Sequence, residues 1–214
     1  MLLPDLPLRT DRLDLRLFTA DDFAALHGYQ SRSDVTRYLY FGPNDEAASR
    51  EALARKRARV ALREPGDVLN LAIVVRATGE LVGDVLLIWT SAEHRQGELG
   101  YVLHPDHTGH GYATEAAREL LRLGFDGLGL HRIVGRLDAR NAASARVLTR
   151  LGMRHEAHLV QNEFVKGEWV DEAVYALLAQ EWRAAGPPAD RPEWGPVRRG
   201  GAGPSRCSRR RPRP

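Results

Sequence analysis

The residues whose types and spacing could do chemistry are concentrated in one stretch, His104-Pro105-Asp106-His107-Thr108-Gly109-His110-Gly111-Tyr112-Ala113-Thr114-Glu115-Ala116. An apolar run from Leu99 to Leu103 leads into it, and a helix-patterned run from Tyr112 to Phe125 leads out. A strand that ends in a glycine-rich turn and passes into a helix points backbone N–H groups and a positive helix end at an anion, commonly a phosphate. Gly109 and Gly111 let the backbone approach such a group with no side chain in the way. The N–H groups from Gly109 through His110, Gly111, Tyr112 and Ala113 to Thr114 would line the site, and the His110 ring adds a donor. The same glycine spacing also joins strands to helices that bind nothing, so the surrounding elements decide what it means.

Leu13, Leu15 and Leu17 alternate with Arg12, Asp14 and Arg16, which predicts a strand from Arg9 to Leu17. Thr19 ahead of Ala20-Asp21-Asp22 starts a helix that runs through Tyr29. Ser33-Asp34 caps a second, short helix through Val35, Tyr38 and Leu39, which Gly42-Pro43 ends. Asn44 caps a long polar helix from Glu46 to Leu62. Three strands follow, Val68 to Arg76, Glu80 to Thr90 and Glu98 to Leu103, joined by Thr78-Gly79 and the polar loop Ser91 to Gly97 as an antiparallel meander. Beyond the glycine turn come a strand from His131 to Leu137, a helix from Asn141 to Leu151 stopped by Gly152, and two closing strands, Met153 to Asn162 and Glu168 to Leu178. The strand–helix–strand passage through the turn requires a parallel pair within an otherwise antiparallel sheet.

A chain of 214 residues, 43% hydrophobic and 28% charged, suits one soluble domain with a tail. No apolar run reaches the length of a membrane span, and Met1-Leu2-Leu3-Pro4-Asp5 lacks a signal-peptide pattern, so a cytoplasmic protein with no membrane partner is expected. Cys207 is the only cysteine, which excludes an internal disulfide and a thiolate metal site and argues against an acyl group parked on sulfur. His104, His107 and His110 recur every third residue but straddle a Pro- and Gly-containing loop, so no metal is expected. At Ala184 the composition shifts to Pro, Gly, Ser and Arg; a folded domain over 1–183 and a disordered basic tail over 184–214 are expected. The tail holds eight arginines against two acids, so the net +3 of the chain divides into a basic tail and a mildly acidic body. A solvated extension is favoured over nucleic-acid or ribosome contact through that tail.

The order of elements and five motifs resemble the GNAT superfamily of N-acetyltransferases, and within it the RimJ/RimL branch, whose named members acetylate the N-termini of ribosomal proteins. Thr10-Asp11-Arg12-Leu13-Asp14-Leu15-Arg16 is similar to that branch's opening strand, and Val35-Thr36-Arg37-Tyr38-Leu39 to its second short helix. Gly109 to Ala116 resembles its coenzyme motif, and Asn141-Ala142-Ala143-Ser144 with Leu151-Gly152-Met153 its next signature. Val165-Lys166-Gly167-Glu168-Trp169-Val170-Asp171, then Tyr175-Ala176-Leu177-Leu178, resembles its closing hairpin, so the likeness runs from Leu8 to Trp182. One position departs: where the superfamily has Gln or Arg ahead of the glycines, this chain has Thr108. The resemblance implies an α/β (α+β) GNAT fold, a mixed, mostly antiparallel sheet of about seven strands, splayed at the coenzyme site, with helices on both faces. It also implies acetyl-CoA as co-substrate, no metal, a primary amine as acceptor, and the homodimer common in that branch.

On that reading the turn from Thr108 to Thr114 would hold the coenzyme pyrophosphate. Tyr101, Val102 and Leu103 would lend backbone groups to the amide-rich pantetheine arm as to an added strand, with a β-bulge near Gly100 to Val102. An N–H of Val102 or Leu103 would stabilise the oxyanion. Asn141 is either a helix cap or a partner of the pantetheine amides, or both. Ser144 falls where a serine of that branch is thought to meet the coenzyme sulfur and would protonate the departing thiolate; the alternative is an ordinary first-turn polar residue. Glu98 would be the general base, through a water, or else a solvated strand-edge acid; Glu163, His158 and Asp171 rank below it. Tyr38 and Trp89 would line the acceptor pocket or simply pack. Without a cysteine in the body, direct attack in a ternary complex is expected. The acceptor implied by the branch is a protein or peptide N-terminus; a small amine, such as an aminoglycoside-type antibiotic, fits the same chemistry, and the acidic body suits any cationic acceptor. The rival of another class is a non-catalytic acyl-CoA-binding regulatory module.

Overall fold

The computed structural model describes residues 1–186, so nearly all of the expected tail lies outside the described residues. Eight strands form one sheet: β1 (Leu8–Arg9), β2 (Leu13–Arg16), β3 (Val68–Val75), β4 (Leu81–Ser91), β5 (Gln96–Leu103), β6 (Arg132–Asp138), β7 (Arg154–Val165) and β8 (Glu168–Leu178). Their order across the sheet is β1-β2-β3-β4-β5-β6-β8-β7. All neighbours are antiparallel except β5 and β6, the parallel pair that the crossover through the glycine turn demands.

Helices cover both faces. Helix α4 (Tyr112–Arg122) and α5 (Ala142–Arg150) lie on the face of the larger apolar cluster, where Leu71, Ile73, Val85, Leu87, Leu99, Leu120 and Ile133 are inaccessible or nearly so. Helices α1 (Phe23–Gln30), α2 (Ser33–Thr36) and α3 (Glu46–Ala58) lie on the other, over a smaller cluster of Phe18, Leu26, Tyr29, Leu53, Ala72 and Val74. A last turn of helix, α6 (Ala179–Ala184), follows β8. No helix among the described residues is long and apolar enough to cross a membrane.

Two expectations fail for identifiable reasons. The first strand is not continuous. Thr10 Oγ1 accepts from the Leu13 N–H (3.0 Å) and the Thr10 N–H donates to the Leu13 carbonyl (2.9 Å), so the chain folds back on itself. Leu8 then faces Leu15 in a short hairpin, which raises the strand count from about seven to eight. The long helix α3 is capped by Asp45, whose carboxylate accepts from the Ala48 N–H (2.8 Å), and it stops at Ala58. Asn44 is bonded instead to Gln30 (2.9 and 3.0 Å). The helix cannot reach Leu62 because Val60 and Leu62 are extended, paired with Leu69 and Leu2, and Leu62 is fully buried there.

Candidate active site

The sheet opens at one place. β5 stays paired with β4 as far as Leu103, and β6 stays paired with β8 as far as Asp138. Between β5 and β6 the ladder holds only Gln96, Gly97 and Glu98 against Arg132, Ile133 and Val134. Beyond Glu98 the two strands part. The bulge expected near Gly100 to Val102 is absent: the register with β4 is unbroken from Gly97 to Leu103, and its irregularity lies between Trp89 and Ser91. The split needs no bulge because β5 is held closely to β4. A Cβ on Gly83 would come within 2.2 Å of the Val102 carbonyl oxygen, an approach only glycine allows.

The phase of the ladder says which backbone groups face the split. The His104 N–H donates to the Val82 carbonyl (2.8 Å), so even-numbered residues of β5 bond towards β4 and odd-numbered ones face away. Tyr101 and Leu103 thus present N–H and C=O groups to the split. Val102 does not: its N–H belongs to the β4 ladder and its side chain packs against the smaller cluster. Of the two donors expected at the oxyanion, only Leu103 is so placed.

At the mouth of the split lies the glycine turn. Pro105–His107 forms a single 3-10 turn, Gly109 and Gly111 both take φ of +83°, and Gly111 precedes the first residue of α4. These left-handed conformations turn the backbone so that the N–H groups from Gly109 to Thr114 have no acceptor among the described residues; the first helical bond runs from Glu115 to the Gly111 carbonyl (3.0 Å). Thr108, at the position that departs from the family pattern, spends its hydroxyl on the Pro105 carbonyl (2.8 Å) and shapes the turn. The His110 ring stacks on Tyr112 at 5.5 Å between centroids.

Side chains reach the split from both faces. On the α4–α5 face, the Tyr101 hydroxyl meets Ser144 Oγ at 2.8 Å and the Ser144 carbonyl at 3.0 Å, which joins β5 to the first turn of α5. Burial pushes the Tyr101 phenol up to about 12, against the opposing effect of the Ser144 hydrogen bond. Asn141 caps α5, its Oδ1 accepting from the Ser144 N–H (3.0 Å), so the capping reading holds while its Nδ2 makes no bond among the described residues. The helix sits this close to β6 because of Gly135, where a Cβ would lie 2.9 Å from Leu148.

On the opposite face stands Glu98, with Arg136 Nε 3.6 Å from its Oε2. Arg136 Nη1 also donates to Glu172 Oε2 (3.1 Å), a carboxylate 2% exposed that accepts in addition from the Tyr40 hydroxyl (3.0 Å) and Asn162 Nδ2 (3.1 Å). Burial pushes the Glu98 carboxyl above its ordinary value; Arg136 pulls it back and Glu172 pushes it further up. Tyr40 is raised by burial, by its bond to Glu172 and by the negative charges of Glu172, Glu163 and Glu98. Of the other base candidates, His158 Nε2 and Asp171 Oδ2 are engaged with each other at 2.7 Å, whereas Glu163 is tied to the Glu172 group through Asn162 Nδ2. Trp89 packs against the larger cluster on the far face, with its indole N–H on the Ser91 carbonyl (3.0 Å), and does not line an acceptor pocket. Tyr38 lines a small cleft with Tyr40, Asp138, Arg140 and Lys166 beside the β7–β8 turn. Among the described residues no group of three or more His, Cys, Asp or Glu is arranged to hold a metal ion.

Sequence reasoning missed the Tyr101 hydroxyl, Arg136, Glu172 and Tyr40. Glu172 left a trace, an acid inside the mostly apolar run Glu168 to Leu178; Arg136 and Tyr40 left none.

Comparison with known proteins places this geometry. The family model described as the acetyltransferase (GNAT) domain matches residues 12–154. The uncharacterized N-acetyltransferase YnaD of Bacillus subtilis is 31% identical over 175 residues, 82% of this chain and 98% of that protein. The spermidine N(1)-acetyltransferase of Escherichia coli is 26% identical over 170 residues, 79% of this chain and 88% of that protein. The crystal structure of a GNAT-family acetyltransferase from Bacillus anthracis superposes with a TM-score of 0.73 at 31% identity, over 81% of this chain and 99% of that one. A split sheet beside a glycine turn, matched over this length, makes the chain an acetyltransferase enzyme of the GNAT family.

Proposed function

We propose that this enzyme transfers an acetyl group from acetyl-CoA to a primary amine by direct attack, with the two substrates entering the split from opposite faces of the sheet. The observation that carries the reading is the split itself: open β5 backbone at Tyr101 and Leu103 runs towards a helix start whose N–H groups have no acceptor among the described residues. The N–H groups from Gly109 to Thr114 hold the pyrophosphate, with Thr108 shaping the turn from outside. Tyr101 and Leu103 pair with the pantetheine arm, and Asn141 Nδ2 is directed to the same arm. Acetyl-CoA supplies an activated thioester.

Glu98 takes the proton of the attacking amine, directly or through a water, as the C–N bond forms. The Leu103 N–H receives the charge that develops on the carbonyl oxygen. As the C–S bond breaks, the Ser144 hydroxyl gives its proton to the sulfur and takes the Tyr101 proton in its place; the Tyr101 phenolate then regains a proton from solvent and Glu98 loses one to it, which restores both groups.

The branch resemblance favours a protein or peptide N-terminus as acceptor. A second reading, a small polycationic amine, is favoured by the carboxylates of Glu98 and Glu172, which share Arg136, and of Glu163, which shares Asn162 with Glu172, and a spermidine acetyltransferase is among the relatives. Thiol release from acetyl-CoA, followed against spermidine, an aminoglycoside and short peptides with free N-termini, tests the proposal and ranks the acceptors. Turnover with at least one amine, abolished or cut at least about a hundredfold by Glu98→Gln, is expected. Coenzyme binding without turnover for any amine would instead favour the non-catalytic module.

A further inference from the structure

The turn between β1 and β2 lies against the glycine turn, and one arginine joins them. Arg12 Nη1 donates to the His110 carbonyl (2.8 Å) and Nε donates to Glu115 Oε2 (2.8 Å). Nη2 lies 2.6 Å from that same carboxylate oxygen, and the guanidinium sits over the Tyr112 ring, 5.0 Å from its centroid. The second oxygen, Glu115 Oε1, accepts from Thr10 Oγ1 (2.5 Å) and from the Arg12 N–H (2.9 Å). A Cβ on Gly111 would touch Arg12 Nη2 at 3.4 Å, so the guanidinium is seated on the turn itself.

Glu115 lies in the first turn of α4. An acid there normally gains from the helix dipole. When the same helix end must receive a phosphate, that carboxylate becomes a competing like charge. Arg12 is the cation that meets it, and both carboxylate oxygens are engaged.

The geometry points to Arg12 as a positioning residue for the coenzyme: seated on the glycine turn at the His110 carbonyl, it cancels the charge of Glu115, so that the head of α4 presents a net positive end to a pyrophosphate. This rests on the reading of the turn as the pyrophosphate site. Charge cancellation and simple bracing make opposite predictions for a double variant. With cancellation, Arg12→Gln leaves Glu115 uncompensated and weakens coenzyme A binding by about tenfold. Removing both charges, in Arg12→Gln with Glu115→Gln, restores most of that loss. With bracing alone, the double variant binds no better than Arg12→Gln.

The experiment is calorimetric titration of coenzyme A into the full chain, the two single variants and the double variant, at low and high salt, with thermal melts as a fold control. The expected results are the loss in Arg12→Gln, its reversal in the double variant, and a smaller loss at high salt, where charge is screened. If Arg12→Gln does not fold, Arg12→Lys keeps the charge without the forked contacts and is expected to bind within about threefold of wild type. Equal binding by wild type and Arg12→Gln, or a double variant as weak as Arg12→Gln, overturns the proposal while leaving the pyrophosphate site standing. A wild type that does not bind coenzyme A at all overturns both.

Discussion

Replacing Arg136 by glutamine should move the acidic limb of the pH–rate profile upward, and replacing Glu172 by glutamine should move it down. Glu98 is faced by Arg136 from β6 and by Glu172 from β8; Tyr40, from the segment after α2, bonds to Glu172. Burial raises its carboxyl, Arg136 opposes that rise, and Glu172 adds to it. The Arg136–Glu98 separation is 3.6 Å, with the two side chains 44% and 29% exposed. Two unit charges about 4 Å apart interact by about 4 kcal/mol at an effective dielectric of about 20, and by about 1 kcal/mol in water. The exposed guanidinium puts this pair near the lower figure. One pH unit corresponds to about 1.4 kcal/mol, so the expected displacement is about one pH unit.

The sign follows from the role. A base works when ionised, so any change that raises its pKa delays the rise of the rate to higher pH. Losing the Arg136 cation raises the Glu98 pKa; losing the Glu172 anion lowers it. The assay is kcat/KM for thiol release between about pH 5 and 9 with whichever amine turns over. The ionisation of the amine itself, near 10 for a lysine-like group, is common to every variant, so the differences between variants report the enzyme. Coenzyme A affinity serves as the control, since neither substituted side chain lies on the α4–α5 face. Limbs that move together, or that stay fixed in both variants, would refute Glu98 as the titrating group.

Two further predictions concern the scaffold. Lys56 Nζ bonds to Asp84 Oδ1 (2.6 Å) deep beneath α3, where Asp84 is 1% exposed and otherwise bonded to the Tyr29 hydroxyl (2.7 Å) and Asn70 Nδ2 (3.1 Å). Lys56→Met leaves that carboxylate without a cation and should cost about 3–5 kcal/mol in urea denaturation, whereas Lys56→Met combined with Asp84→Asn should cost less than Lys56→Met alone. For Asp22, burial pushes the carboxyl up, but two bonds from Arg16 (both 2.7 Å) and one from the Thr19 N–H (2.7 Å) hold it below its ordinary value. Its stabilising contribution is therefore full above the unfolded value of about 3.9 and is lost as pH falls through the lower folded value, so thermal stability should drop less on acidification in Asp22→Asn than in wild type.

The elements that build the site were legible because each carries a local signal. Alternation marks Leu99 to Leu103, paired glycines mark the turn, and Asn141 and Gly152 bound α5. What escaped depends on partners distant in sequence. Thr10 breaks the first strand through a bond to Leu13, and its hydroxyl also reaches Glu115, a contact spanning 105 residues. Leu62 leaves the helical pattern because Leu2 waits for it as a strand partner. The sequence around Tyr101 shows only a strand backbone, since nothing local reveals that α5 will bring Ser144 to its hydroxyl. The Val102 N–H, consumed by the pairing with β4, looks as free as that of Leu103 in the sequence, because the phase of a ladder cannot be read from one strand alone.

That phase also explains why one strand can serve two substrates. Glu98 and Tyr101 are three residues apart on a strand whose register runs unbroken from Gly97 to Leu103, so their side chains leave opposite faces of the sheet. The acid-lined face of Glu98, Arg136, Glu172 and Tyr40 is thereby separated from the face of Tyr101, Ser144 and the glycine turn. In the proposed transfer the amine proton departs on the first face and the thiolate is protonated on the second, with the reacting carbon in the split between them. An even spacing would put base and acid on one side, where the incoming amine and the outgoing sulfur would compete for the same space. In that proposal the odd spacing, with the failure of β6 to follow β5 past Glu98, would let both substrates meet without a covalent enzyme intermediate.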